Sequence, residues 1–319
     1  MQSSSDTSNF LSLQLKLSEA ERNIYAPAEL FDQQRYAPEE YLEELISPYG
    51  KQGLEIVNGK IICKETKKEI QTDNKVINLK ASTTEENKEW ARQNLQFLNY
   101  HKSLSVYTMI NAMPTINYFA EYSGLANLKN AKVVDVGGGT GHCFCTLFSY
   151  PETIEYYLLD PNLRKLHDQF IRLYPKLLKL KMKHILSHAE FLPLKNELAD
   201  VVLSYSAIDH YADYKKFVQD AHRILKPGGL LVISSHLDRP KAQRSQYTPL
   251  LERIMSDTLP ERIARYRYYK KYAVGNDDHT YHFEDASEIA DTLQKNGFEI
   301  TMNHVYADNF ILLAKKIAA

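Results

Sequence analysis

The stretch Val133-Val134-Asp135-Val136-Gly137-Gly138-Gly139-Thr140-Gly141-His142 runs an apolar strand directly into a glycine-rich turn that opens a helix. Such a turn allows close approach of a ligand to the backbone, and the unpaired N–H groups of the helix that follows point towards it. About twenty residues on, a second strand, Ile154 to Leu159, ends in Asp160, where a carboxylate can accept hydrogen bonds from ribose hydroxyls. A glycine run alone is weak evidence; followed by that acid it describes a nucleotide-cofactor site. Two imidazoles are candidate bases: His210, in Tyr205-Ser206-Ala207-Ile208-Asp209-His210-Tyr211, and His236, just beyond the strand Leu230 to Ser235. A neutral imidazole suits proton removal near pH 7.

Glycine spacing separates two cofactor classes. A dinucleotide fingerprint wants glycine where His142 stands, so histidine there disfavours NAD. Asp-x-Gly-x-Gly-x-Gly over Asp135 to Gly141, then Asp160, then Leu225-Lys226-Pro227-Gly228-Gly229 before a strand, resembles the class I S-adenosylmethionine-dependent methyltransferases over roughly residues 125 to 319. The resemblance implies that Asp135, Gly137, Gly139 and Gly141 surround the methionine part of S-adenosylmethionine. Asp160 would hold the ribose hydroxyls, with Pro161 and Asn162 shaping the adjoining edge of the adenine pocket. Ser187-His188-Ala189-Glu190-Phe191-Leu192-Pro193-Leu194 is similar to the segment that flanks adenine, although the family usually has aspartate where His188 stands. A backbone contact from Ala189 can replace that side chain. Tyr205 to Tyr211 would face the transferred methyl group, with Tyr205 beside the cofactor, His210 as first choice of base and Tyr211 on the acceptor. In a branch with a His-Asp-Trp catalytic segment, placing Asp213 in register puts Asp209 where the histidine belongs, so that assignment is not carried over.

With 319 residues, 44% of them hydrophobic, the chain can build one large domain and an appendage. A formal net charge of -1 argues against binding a nucleic-acid backbone through many phosphates. Cys63, Cys143 and Cys145 are too few and too irregular for a disulfide framework and are read as buried thiols, with no metal site. No basic leader precedes an apolar run and no segment reaches membrane-spanning length, so a cytoplasmic protein is expected.

These residues need a scaffold. Strands near 131–136, 154–159, 182–187, 200–205 and 229–235, alternating with helices, predict a parallel sheet covered on both faces. A helix from about Asp285 to Asn296 and strands Glu299 to Tyr306 and Phe310 to Lys315 close the chain, the short link demanding an antiparallel pair. The fold class is α/β, a Rossmann-like class I methyltransferase sheet of order 3-2-1-4-5-7-6 with a small N-terminal β module and a helical cover. Residues 1–80 hold an arm with alternating leucines, short helices and the β module; 81–125 form the helical cover; 126–319 form the cofactor-binding domain. The module resembles a zinc ribbon whose ligand positions carry Ser47, Gly50, Cys63 and Thr66, a ribbon that has lost its metal. Trp90, Tyr100, His101 and Tyr107 in the cover are candidates for lining the acceptor pocket, with core packing as the plainer account of each. An insertion at 239–282 carries Arg262, Arg265, Tyr266, Arg267, Tyr268, Tyr269, Lys270, Lys271 and Tyr272. It reads as a lid with phenols such as Tyr266 and Tyr269 on the acceptor, against an amphipathic helix with a solvated basic face.

The leading expectation is methyl transfer to a small organic molecule. Two rivals stand beside it: an RNA guanine methyltransferase, for which the ribbon ligands are missing, and a non-catalytic cofactor-binding subunit. Acceptor identity and oligomeric state are not legible in the residues.

Overall fold

The computed structural model describes residues 35–50, 52–80, 118–139, 141, 148–161, 179–238, 280–306 and 309–318. Its centre is a mostly parallel sheet. Strands β5 (Lys132–Val136), β6 (Glu155–Leu159), β7 (Met182–Leu186), β8 (Ala199–Tyr205) and β9 (Leu225–His236) follow the apolar runs of the sequence, buried on both faces as parallel strands are. Then α2 (Ser287–Lys295; α1 is given below) leads to β10 (Phe298–Tyr306) and β11 (Asn309–Lys316), an antiparallel pair. The order β7-β6-β5-β8-β9-β11-β10 is the expected 3-2-1-4-5-7-6.

Helix α1 (Tyr214–Ile224) shows why these elements form where they do. Asp213 caps it, accepting from the N–H groups of Lys215 and Lys216 at 3.0 and 3.2 Å. Tyr214, Phe217, Val218, Ala221 and Ile224 recur at helical spacing and are buried on the sheet. The helix stops at Leu225 because Pro227 follows, which cannot continue it.

The N-terminal module has two hairpins. β1 (Leu54–Val57) and β2 (Lys60–Cys63) turn at Asn58-Gly59, both in the left-handed region that a two-residue hairpin requires. β3 (Thr72–Asp73) and β4 (Val76–Asn78) do not stay with them: β4 pairs in parallel with β7, lengthening the main sheet to nine strands. Leu54, Ile61, Ile70, Ile77 and Leu79 pack into the same apolar cluster as Val134, Tyr157 and Ile185 of the sheet. Module and sheet therefore share one core, across the boundary expected at residue 80.

A 3-10 helix, Pro38–Glu44, is clamped to this face by charge. Glu44 accepts from Lys132 and Lys183, each at 2.6 Å, and from the Tyr157 hydroxyl at 2.7 Å. Burial alone would raise the Glu44 carboxyl, but hydrogen bonds from Lys132, Lys183 and Tyr157 outweigh it and hold it below the usual carboxylate range.

Of the four ribbon positions, three converge. Cys63 is fully buried, and its sulfur accepts from the Thr66 N–H at 3.5 Å. Burial raises the thiol, yet hydrogen bonds from Ser47 and Thr66 prevail and lower it. Among the described residues no group of three or more His, Cys, Asp or Glu could hold a metal ion.

His184 on β7 is 2% exposed, with no hydrogen-bond partner at either ring nitrogen among the described residues. Burial, helped by the Arg35 charge, pushes its pKa down to about 3. The folded state therefore resists a proton that the unfolded chain accepts near pH 6.5, so stability falls as pH drops from there towards 3. Between pH 7 and 5 this one group should cost about 2 kcal/mol, an order-of-magnitude figure. Urea denaturation at both pH values should show His184→Leu at least as stable as the parent at pH 7 and less sensitive to acid. An unchanged pH dependence in the variant would assign the sensitivity to other groups.

Candidate active site

The carboxyl ends of β5, β6, β7, β8 and β9 converge on one edge of the sheet, and the candidate residues stand there in turn. At the end of β5 the chain enters the glycine turn. Gly137 and Gly139 have φ of +72° and +63°, the left-handed region, and a side chain on Gly137 would put its Cβ 2.6 Å from the Ala207 Cβ. Gly137 lies directly against the loop after β8. A Cβ on Gly138 would fall 2.2 Å from an Asp135 carboxylate oxygen, so that turn also rests on the side chain beneath it.

Asp135 is completely buried under the turn. Tyr156 donates its hydroxyl to Asp135 Oδ2 at 2.6 Å, while Oδ1 has no hydrogen-bond partner among the described residues. Burial pushes its carboxyl up to about 7, the Tyr156 hydrogen bond opposing and the Asp160 charge adding to the rise. Asp160, 1% exposed at the end of β6, accepts the Gly139 N–H through Oδ2 at 2.9 Å. The acid expected to hold a ribose thus also fixes the glycine turn. Pro161 beside it is buried.

His188 and Ala189 are buried after β7, whereas Glu190 reaches across: its Oε1 accepts from the N–H groups of Ala212 and Asp213 at 2.7 and 3.1 Å. Glu190 ties the segment expected at adenine to the loop expected at the methyl group. Tyr205 is half-buried against Phe119, their ring centroids 5.0 Å apart. His210 ends the short 3-10 turn Ile208–His210 and is half-buried; His236 ends β9 and is exposed. Both imidazoles lie on the same sheet edge, from adjacent strands.

Tyr211, expected on the acceptor, occupies a different place. It is 2% exposed and donates its hydroxyl to the Val136 carbonyl at 2.8 Å, with Ser204 Oγ 2.7 Å away. It pins the loop beneath Gly137. Asn162, Tyr100, Tyr107, Tyr266 and Tyr269, with Trp90, His101 and residues 239–279 of the insertion, lie outside the described residues.

Three serines escaped the sequence reading. Ser187 and Ser235, at the ends of β7 and β9, are buried with hydroxyls that have no hydrogen-bond partner among the described residues. Ser206 is exposed and holds φ of +49°, an uncommon conformation for serine, where the chain leaves β8. Serine at strand ends carries no spacing signal, and only the fold brings these residues to the same edge of the sheet as the glycine turn.

The sequence profile of a methyltransferase domain matches residues 111–303, more than half the chain. The chain belongs to the methyltransferase-domain family. This methyltransferase domain is 32% identical over 103 residues to the chloroplastic 2-methyl-6-phytyl-1,4-hydroquinone methyltransferase of Spinacia oleracea, covering 32% of this chain and 29% of that protein. It is 26% identical over 179 residues to the malonyl-[acyl-carrier protein] O-methyltransferase of Nitrosospira multiformis, covering 52% and 51% respectively. The matches thus span between about a third and a half of these relatives' own length. A SAM-dependent methyltransferase of Aquifex aeolicus aligns over 63% of this chain and 89% of its own, with 15% identity and a TM-score of 0.41.

S-adenosylmethionine is the cofactor of this methyltransferase domain, and the donor set fits it. The glycine turn brings bare backbone to the edge, Asp160 would supply a buried acceptor for ribose hydroxyls, and Asp135 Oδ1 is a buried acceptor without a partner among the described residues.

Proposed function

We propose that the protein transfers the methyl group of S-adenosylmethionine to a small organic molecule at O, N or C. The observation that carries this reading is the contact of the glycine turn with the loop after β8: Gly137 packs on Ala207, three residues before His210. A cofactor seated on the turn would present its reactive end to that loop. The sulfonium supplies an already activated methyl group. The chain's own work is then to hold the acceptor in line and to remove a proton where the acceptor needs it. His210 is assigned as base, His236 as the second candidate, and Tyr205 as a wall of the site. Relatives named for a hydroquinone and for a carrier-bound acid support a small or carrier-borne acceptor, and the near-zero net charge supports it over RNA.

Calorimetry should show binding of S-adenosylmethionine and S-adenosylhomocysteine and none of NAD; equal or tighter NAD binding would overturn the assignment. With methyl-labelled S-adenosylmethionine and a panel of phenols, quinols, amines and acids, His210→Ala should lower turnover far more than cofactor affinity. Unchanged turnover there, with loss in His236→Ala, would move the role to the second histidine. The same reading takes the Ser47, Cys63 and Thr66 cluster as a ribbon without its metal. Elemental analysis of protein purified without added metal should find no stoichiometric zinc; finding it would mean that other residues complete a site.

A further inference from the structure

Four aromatic rings stack at the outer edge of the sheet. Tyr118 and Tyr306 have centroids 3.8 Å apart at 21°, and Tyr122 and His304 have centroids 4.7 Å apart at 7°. Tyr118 and Tyr122 come from the helical residues 118–123, and His304 and Tyr306 from β10. A hydrogen bond between the Tyr118 hydroxyl and His304 Nε2 locks the two elements together. The stack is not closed over: Tyr122 and Tyr306 are each 39% exposed.

Its position matters as much as its composition. Register places Tyr306 opposite Asn309, which lies opposite His236, and places His304 in the row of Ile311, Ser234 and Tyr205. The rings therefore sit at the carboxyl edge of the sheet, the edge of the glycine turn. Phe119, the residue after Tyr118, packs on Tyr205, so the helical turn that carries the stack also reaches the end of β8. Three strand spacings separate β8 from β10, or about 14 Å. A reacting ring cannot lie on this stack and also meet the methyl group.

We infer that the Tyr118, Tyr122, His304 and Tyr306 stack binds a flat aromatic part of an elongated methyl acceptor, remote from the atom that is methylated. The inference rests on the methyl-transfer reading above. Nearly parallel rings, with Tyr122 and Tyr306 part-exposed, offer a place for one more flat ring, and the Tyr–His hydrogen bond holds them in register without the ligand. Exposed Glu121 on the same helical turn disfavours a phosphate. Binding energy gained there would orient the reacting end.

The test uses 2-naphthol and its saturated counterpart decahydro-2-naphthol, titrated into the full chain with and without S-adenosylhomocysteine. Naphthol should bind at least fivefold more tightly than the saturated alcohol. Tyr122→Ala with Tyr306→Ala should weaken naphthol at least tenfold and leave S-adenosylhomocysteine affinity unchanged; Tyr306→Leu, which keeps apolar bulk but removes the ring, should weaken it at least threefold should the double variant melt early. Equal affinity for the two alcohols, no naphthol binding, or full naphthol affinity in the variants would overturn the inference. Failure of S-adenosylhomocysteine to bind would sink the methyl-transfer reading instead, and the naphthol arm without it would still judge the stack.

Discussion

Replacing Asp160 by alanine should lower affinity for S-adenosylmethionine at least hundredfold. Two effects combine. The buried carboxylate would hold ribose hydroxyls through charge-assisted hydrogen bonds worth about 1.5–3 kcal/mol each. It also accepts the Gly139 N–H at 2.9 Å, so its loss frees the turn that must meet the rest of the cofactor. Asp160→Asn keeps an acceptor for Gly139 but loses the charge, and should fall between parent and alanine. Isothermal titration with S-adenosylhomocysteine measures all three. An alanine variant that binds as tightly as the parent would remove the ribose role and leave Asp160 a turn anchor only.

Glu44→Gln should destabilise the fold by about 2–3 kcal/mol, less than the full cost of breaking a buried pair. Glu155 still reaches Lys183 at 3.0 Å, and the Glu44 side chain is 21% exposed, which softens the loss. The Lys183 side chain is only 8% exposed and would keep its charge with one partner fewer. Because the Glu44 carboxyl is held below its ordinary value, its contribution is present above the unfolded pKa and disappears as pH falls through the folded one. Urea midpoints at unchanged slope are the readout. Adding Lys183→Met should recover most of the loss, since Lys132 and Glu155, 3.5 Å apart, then pair with each other and no charge is orphaned. A single-variant shift under about 0.5 kcal/mol would mean that solvent screens the cluster as at an open surface.

The parts of the fold legible in the sequence were those with a period or a punctuation mark. Strands β5 to β9 stand within a few residues of their apolar runs. The continuation of the sheet through β4 was not legible, because Val76-Ile77-Asn78 is too short to name its partner and the pairing spans over a hundred residues. At the site, the glycine turn was readable because close backbone approach constrains residue type. The Tyr211 contact was not legible for a physical reason: a phenol in a loop suits a ligand or a carbonyl equally, and only the fold brings the Val136 carbonyl to it.

The way the first described residues are held also constrains the order in which the chain can fold. Arg35 bridges to Met182, Leu45 to Leu194, and β4 lies beside β7. During synthesis, therefore, residues 35–80 leave the ribosome without the strand that completes them, and their apolar faces must wait until about residue 195 has emerged. Residues 35–80 are a closing piece made early and set in place late, which leaves them open to capture by a chaperone in the meantime.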